Sequence, residues 1–351
     1  MSSITSQAID DFIDHLSKKP CRGSKSYGKK SSEIPMLSSP TVKKCYNILK
    51  LGFPTAKRWG YVEEIPDTTA PSEVYKKRKA WTPVLIMEAL NKMQDDPLLH
   101  LAVHLAFVCS LRAAEVVGID VNSVDPKDHS LWITQIVERA SDESLKELTE
   151  EKIIQVFPKQ NPWSKSCMIL KTPKTDESFR KQYLTTPLLK EIMERIEEIE
   201  RNKELLGSGY HDYGLLICQP DGKPIDPCNL CKMFHRWQTR NFISNQIDFQ
   251  GLRKSGQMHK VRLSKNNYQL VAESSGQSPE VLMSNYNEAL DPEKRNLSQL
   301  VEEDLYPGQE QDTHSDPGEV IGENLLERIR TDPAFSKQLL QLLLDNAQKA
   351  V

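Results

Sequence analysis

Between Asp96 and Cys109 the sequence reads DPLLHLAVHLAFVC, and no other stretch restricts the fold as strongly. Asp96 followed by Pro97 is a helix start: the carboxylate can accept from free N–H groups, and proline sits where its missing N–H costs nothing. From Leu98 to Cys109 the helix is apolar nearly all round, so it has no face to turn to water and must be enclosed by other elements. Leu101 to Cys109 is too short to cross a bilayer and is interrupted by His104, and Leu339 to Leu344 is shorter still. The expected architecture is a layer of other elements packed around a central helix. A chain of 351 residues, 38% apolar and 27% charged, has material for about two such domains, which excludes disorder throughout and a collagen-like fibre.

The N-terminus, MSSITSQAIDDFIDHL, carries acids where a secretory signal needs a basic start and an apolar block, so an intracellular chain is expected. Seven scattered cysteines, an odd number, then read as reduced thiols. Charge is unevenly placed. Residues 1–80 hold 15 Lys/Arg against 8 Asp/Glu, whereas residues 287–351 hold 6 against 14. A basic front end points to a polyanionic partner, and the acidic tail to a solvated face.

Ser39 to Tyr61 opens with Ser-Pro and places Val42, Cys45, Leu49, Phe53 and Ala56 on one helical face. Lys43, Lys50 and Lys57 recur every seven residues on the opposite face, with Gly52 and Pro54 expected to kink or split the helix. That lysine face reads equally as a solvated surface or as one that tracks phosphates. Residues 65–80 lack periodicity, carry two prolines and end near Lys76, Lys77, Arg78 and Lys79, which reads as a basic linker after a helical domain at 1–64. A second domain is expected over 81–290. Its helices include one opened by Thr82-Pro83, a long charged one from Thr186 to about Leu206, and others near 227–240, 251–263, 267–274 and 279–290. Leu131–Val137, Ser166–Leu170 and Lys181–Thr185 read as strands of a small antiparallel sheet, with an acidic, Lys-rich insertion at 138–152. The fold class is thus mainly α with a small antiparallel β-sheet. An acidic polar linker at 291–319 and an amphipathic helical tail at 320–351 complete the chain.

Several chemistries lack sequence support. Cys228 and Cys231 form a C-x-x-C with no second pair, so two core-facing thiols are expected rather than a metal site. No Gly-rich phosphate loop, H-E-x-x-H or G-x-S-x-G occurs, which removes the motifs of nucleotide hydrolases, zinc proteases and serine hydrolases.

What remains is a series of Arg, Lys and Tyr residues. SLRAAEVVGIDVNSVD (110–125), LKTPKTDESFRKQYLT (170–185), FQGLRKSG (249–256) and VAESSGQSPEVLMSNYNEA (271–289) follow one another in an order and spacing that resembles the catalytic domain of the tyrosine recombinases, or phage integrases. The resemblance covers roughly 81–290, and the preceding segment is similar to the later part of that family's core-DNA-binding domain. Singly, each residue has a plainer reading: a surface arginine, a solvated lysine in a turn, a half-buried tyrosine. Their joint order and spacing outweigh it.

The resemblance implies that Arg112 and Arg253 are the two phosphate-binding arginines, Lys174 the hairpin lysine, with Lys171 as the fallback, and Tyr286 the nucleophile. Glu115 matches the acid that supports the first arginine. In that chemistry two guanidiniums hold the nonbridging oxygens of a phosphodiester, the phenol attacks phosphorus to give a phosphotyrosyl enzyme, and the lysine protonates the departing 5′ oxygen. It requires neither metal nor other cofactor. The sequence departs from the family at Gln250, three residues before Arg253 where most members have His, and at Gln277, nine before Tyr286 where they have His or Trp. A Gln277 amide can still donate to phosphate, whereas Gln250 cannot exchange a proton. The family also commonly carries more sequence ahead of the point where this chain starts.

The function this implies is a mobile-element integrase that cuts and rejoins double-stranded DNA at attachment sites. It would act as a homo-tetramer on paired duplexes, with the C-terminal tail as a possible subunit contact and DNA-bending proteins as possible accessories. The rivals are a catalytically impaired DNA-binding relative and a helical interaction protein with no DNA role.

Overall fold

The computed structural model describes residues 4–21, 28, 30–72, 78–147, 152–159, 161–173, 178–286, 298–301 and 305. At the centre lies α4 (Pro97–Val108), capped by Asp96 Oδ1, which accepts from Leu99 N at 3.2 Å. Leu99, Leu101, Ala102, Val103, Leu105 and Ala106 are all buried, as a helix apolar on every side requires. Around it pack α3 (Pro83–Lys92), α5 (Ala113–Val116), α7 (Thr186–Leu206), α8 (Pro227–Arg240) and α9 (Phe249–Leu263). Among the described residues no helix is long and apolar enough to cross a membrane.

Two helices precede this core. In α1 (Ser6–Ser17) the buried residues are Ile9 and Leu16. In α2 (Ser39–Arg58) they are Val42 and Phe53 from the expected apolar face, whose Cys45, Leu49 and Ala56 are half-buried, and Tyr46 beside it. Pro54 lies inside α2, one turn before its end, and the helix continues through it without splitting. The Tyr46 hydroxyl donates to Thr68 O at 2.9 Å and fixes the chain that leaves α2.

The β structure is richer than one small sheet. β1 (Val124–Asp125), β2 (Ser130–Ile133) and β6 (Arg180–Tyr183) form one antiparallel sheet, and β3 (Ile136–Ser141), β5 (Ser166–Lys171) and β4 (Ile153–Val156) form another. The apolar run at 131–137 is therefore two strands. The chain breaks at Thr134-Gln135, where Gln135 Nε2 donates to Gly118 O at 3.0 Å, so the pairing passes from β6 to β5. The insertion at 138–152 likewise becomes the rest of β3 and a short α6 (Asp142–Glu147) leading to β4. These two antiparallel sheets, set among helices, keep the α+β class.

Two helices follow α9, α10 (Tyr268–Ser275) and α11 (Pro279–Tyr286). Between them Gly276 is left-handed at φ 59°, ψ 59°, a conformation that favours glycine and turns the chain sharply. The described residues through Asn285 form one compact unit. The acidic linker is described only at 298–301 and 305, and the amphipathic tail lies outside the described residues.

Candidate active site

The buried helix ends in a turn that aims an arginine. Ser110 is left-handed at φ 52°, Leu111 is fully buried, and Arg112 becomes the N-cap of α5. Three residues on, Glu115 turns back: its Oε2 accepts from Arg112 N at 2.8 Å and its Oε1 from Arg112 Nη1 at 2.9 Å. A free helix N-terminus and a cation thus share one carboxylate.

Two further arginines reach the same acid. Arg180 enters from β6 and donates through Nη2 to Glu115 Oε2 at 3.0 Å and through Nη1 to Oε1 at 3.3 Å. Arg253 comes from α9, with Nη1 3.5 Å from Glu115 Oε2. Its main anchors are backbone: Nη1 donates to Ser110 O at 2.7 Å and Nη2 to Ser275 O at 2.5 Å. The approach of α9 to α4 that makes this possible depends on Gly256, where an added Cβ would stand 2.0 Å from Phe107 O.

The electrostatics follow from three guanidiniums around one carboxylate, a formal charge of +2 for the cluster. Burial opposes ionisation of Glu115, but Arg180, Arg253 and the Arg112 amide outweigh it and hold the acid below the usual carboxylate range. Burial pushes Arg253 down to about 9, with Glu115 opposing and Arg112 and Arg180 reinforcing, so it stays charged at neutral pH. Arg112 is the open member: its side chain is 41% exposed, against 5% for Arg180 and 2% for Arg253.

Gln277 follows the Gly276 turn and places its Oε1 3.5 Å from Arg253 Nη2. Its Nε2 is buried without a hydrogen-bond partner, as is Arg180 Nε. Two buried donors of this positively charged cluster thus have no internal acceptor, whereas buried donors are ordinarily paired. Gln250 is half-buried on the first turn of α9, one turn before Arg253.

Lys174 lies outside the described residues. Lys171, the fallback, is buried in β5 and paired with Glu138 Oε2 at 2.5 Å, so its ammonium is already engaged. Tyr286 is the last residue of α11; its side chain lies outside the described residues. Of the basic residues assigned to DNA, Lys50 and Lys57 are exposed on α2 and Lys43 is half-buried there. Lys76 and Lys77 lie outside the described residues. Lys79 is exposed, and Arg78 Nε is paired with Asp248 Oδ2 at 2.9 Å, so this end of the linker is docked beside α9. Cys228 corrects the expectation of two core-facing thiols: at the start of α8 it is exposed, and only Cys231 is half-buried.

Two members of the site escaped sequence reading. Arg180 looks like any strand cation, and its role shows only through a carboxylate 65 residues away. Lys260, two turns beyond Arg253 on α9, is pushed down to about 8 by burial, with Cys109 opposing and Arg180 and Arg253 reinforcing. No local signal in KSGQMHKV marks it.

No protein-family profile matches the sequence, and no curated protein matches it either. Solved structures do. The Tn1549 transposon integrase in complex with a circular intermediate DNA aligns with a TM-score of 0.62 at 14% identity, covering 86% of each chain. A lambda integrase dimer bound to a COC′ core site aligns at 0.50 and 14%, covering 83% of each. This chain has the tyrosine-recombinase fold. Within that fold, Arg112, Arg180 and Arg253 gather around Glu115 as a cup made from the ends of α4, β6 and α10 and from α9.

Proposed function

We propose that the protein is a site-specific DNA recombinase of integrase type, which breaks and rejoins strands through a 3′-phosphotyrosyl intermediate. The observation that carries this reading is the three-arginine cup with its two unpartnered donors. A phosphodiester brings one negative charge and two nonbridging oxygens, and phosphoryl transfer places more charge on those oxygens as the nucleophile adds. Arg112, the exposed member, meets the phosphate first. Glu115 holds the Arg112 side chain in place and is itself fixed by Arg180, and Arg253, locked by two carbonyls, supplies fixed positive charge that needs no reorganisation as the reaction proceeds. Gln277 Nε2 donates to a nonbridging oxygen.

Tyr286 attacks phosphorus and gives up its phenolic proton to solvent, the phosphotyrosyl bond forms as the P–O5′ bond breaks, and Lys174 delivers a proton to the leaving oxygen. A second 5′ hydroxyl reverses these steps and restores the tyrosine, so the bond is conserved without ATP. With Gln250 unable to exchange a proton, general acid–base help at that position is absent; such help is typically worth about 10²- to 10⁴-fold, so turnover is slow but not abolished. Duplex DNA lies against α2, where Lys50 and Lys57 meet phosphates together with Lys43 and the linker cations Lys76, Lys77, Arg78 and Lys79. The active form is a tetramer on two duplexes, with the C-terminal tail between subunits, serving a mobile element.

The test is a nicked suicide duplex carrying the DNA that flanks the protein's own gene. Wild type should form a protein–DNA adduct that survives denaturant, and Tyr286→Phe should not. Adduct formation by Tyr286→Phe would refute the nucleophile assignment; no adduct with wild type, alongside specific binding, would favour a DNA-binding relative that has lost chemistry.

A further inference from the structure

On the side of α4 that meets α7, His100 and His104 stand one turn apart and Glu191 faces them. His100 Nδ1 is 2.5 Å from Glu191 Oε1, and His104 Nδ1 is 2.8 Å from Glu191 Oε2. The two rings lie 6.0 Å apart at 84°. One nitrogen from each histidine and one carboxylate oxygen all fall within 4.8 Å of one another, and the three side chains are only 16–22% exposed. We infer that these residues form a zinc site that staples α4 to α7.

The donor set argues for zinc. Two imidazole nitrogens disfavour magnesium and calcium, which take oxygen ligands, and the absence of thiolate fits a borderline ion held by nitrogen and oxygen. Zinc binds such atoms at about 2.0–2.2 Å in tetrahedral geometry, which places neighbouring ligand atoms about 3.4 Å apart. The observed N–O separations of 2.5 and 2.8 Å must therefore open by somewhat under 1 Å. Small side-chain rotations of Glu191 and of the two imidazoles are what this adjustment requires. The zinc takes the place of the two Nδ1 protons that otherwise point at the carboxylate, and a water completes the fourth position.

The placement gives the site a purpose. His100 and His104 lie eight and four residues before the end of α4, on the order of 12 and 6 Å along its axis. Just beyond that end the chain delivers Arg112, and α7 follows β6, which carries Arg180. Joining α4 to α7 ties together the two segments next to those that supply Arg112 and Arg180. The inference does not depend on the recombinase reading.

The experiment uses the full-length protein, freed of metal with a chelator, in a zinc titration against a chromophoric competitor, followed by zinc X-ray absorption on the loaded protein. We expect one equivalent bound with only nitrogen and oxygen around zinc, and at least tenfold weaker binding of that equivalent in Glu191→Gln and in the double variant His100→Asn/His104→Asn. Magnesium should not compete. Sulfur in the zinc shell, no tight equivalent in wild type, or undiminished binding in folded variants would overturn the site. If the variants do not fold, the ligand shell of the wild-type zinc decides it.

Discussion

Replacing Glu115 by Gln isolates the charge that holds the cup together, because the side chain keeps its shape and loses its ionisation. The carboxylate is 4% exposed and meets Arg112 at 2.9 Å, Arg180 at 3.0 Å and Arg253 at 3.5 Å. A unit-charge pair about 4 Å apart at an effective dielectric of about 20 is worth about 4 kcal/mol, so three such contacts give a gross attraction on the order of 10 kcal/mol. Desolvation of the buried ions cancels most of it, and removing one partner from a buried cluster costs about 3–5 kcal/mol net. The amide also turns a donor toward three donors. Glu115→Gln is therefore expected to lose about 3–5 kcal/mol in urea unfolding and to raise the formal charge of the cup from +2 to +3. Orthophosphate at constant ionic strength should then restore more stability to the variant than it adds to wild type, since it fills a place that the carboxylate had partly neutralised. A loss under about 1 kcal/mol, or equal phosphate gains in the two proteins, would refute the reading of Glu115 as the counter-ion of an anion cup.

Gly256→Ala should cost about 1–3 kcal/mol or more in the urea midpoint, because the new methyl meets Phe107 O at 2.0 Å and pushes α9 from α4; an unchanged midpoint would contradict that packing. Lys260 has a folded pKa lowered from 10.5 to about 8, so between those values the unfolded chain holds a proton that the folded one has released, and stability rises with pH through that window. Below pH 8 the penalty is complete, about 3 kcal/mol if the group were fully buried and about 1–2 kcal/mol for a half-buried side chain. Lys260→Met should therefore be more stable at pH 7 and show a flatter rise up to pH 9, measured by thermal unfolding. Above pH 9 Cys109, which burial pushes up to about 11, acts in the opposite direction. Replacing both Lys50 and Lys57 by Ala should reduce the salt slope of DNA binding by about 1.8, equally on specific and random duplexes, as titration at several salt concentrations would show.

The parts of this protein that were legible in its sequence are those whose cause is local. A helix with no polar face announces its burial, and Ser-Pro, Thr-Pro and Asp-Pro pairs mark helix starts because capping and proline geometry act within one turn. Arg112 and Glu115 are picked out by the family resemblance alone, and the structure then pairs them across three residues at one N-terminus. The division of 131–137 between two sheets was not legible: it depends on Gln135 finding Gly118 O, and β-branched and apolar residues on either side give no sign of it. Arg180 and Lys260 stayed hidden because the groups that make them unusual come from other elements. Cys228 misled for a simpler reason, since its spacing from Cys231 holds whichever way the first turn of α8 faces.

Arg253 does two jobs, and that changes how related sequences should be interpreted. Its guanidinium joins the turn after α4, through Ser110 O, to the end of α10, through Ser275 O, so it is a strut as well as a charge. Selection for a folded chain would by itself keep it, with Glu115 and Arg180, whether or not the chain cuts DNA. Persistence of the arginines across relatives is therefore a record of solubility and shape. Residues that internal contacts hold only weakly are the better record of chemistry: the Gln277 amide, with one long 3.5 Å contact from Arg253 and its Nε2 left over, is the first place where drift should be sought.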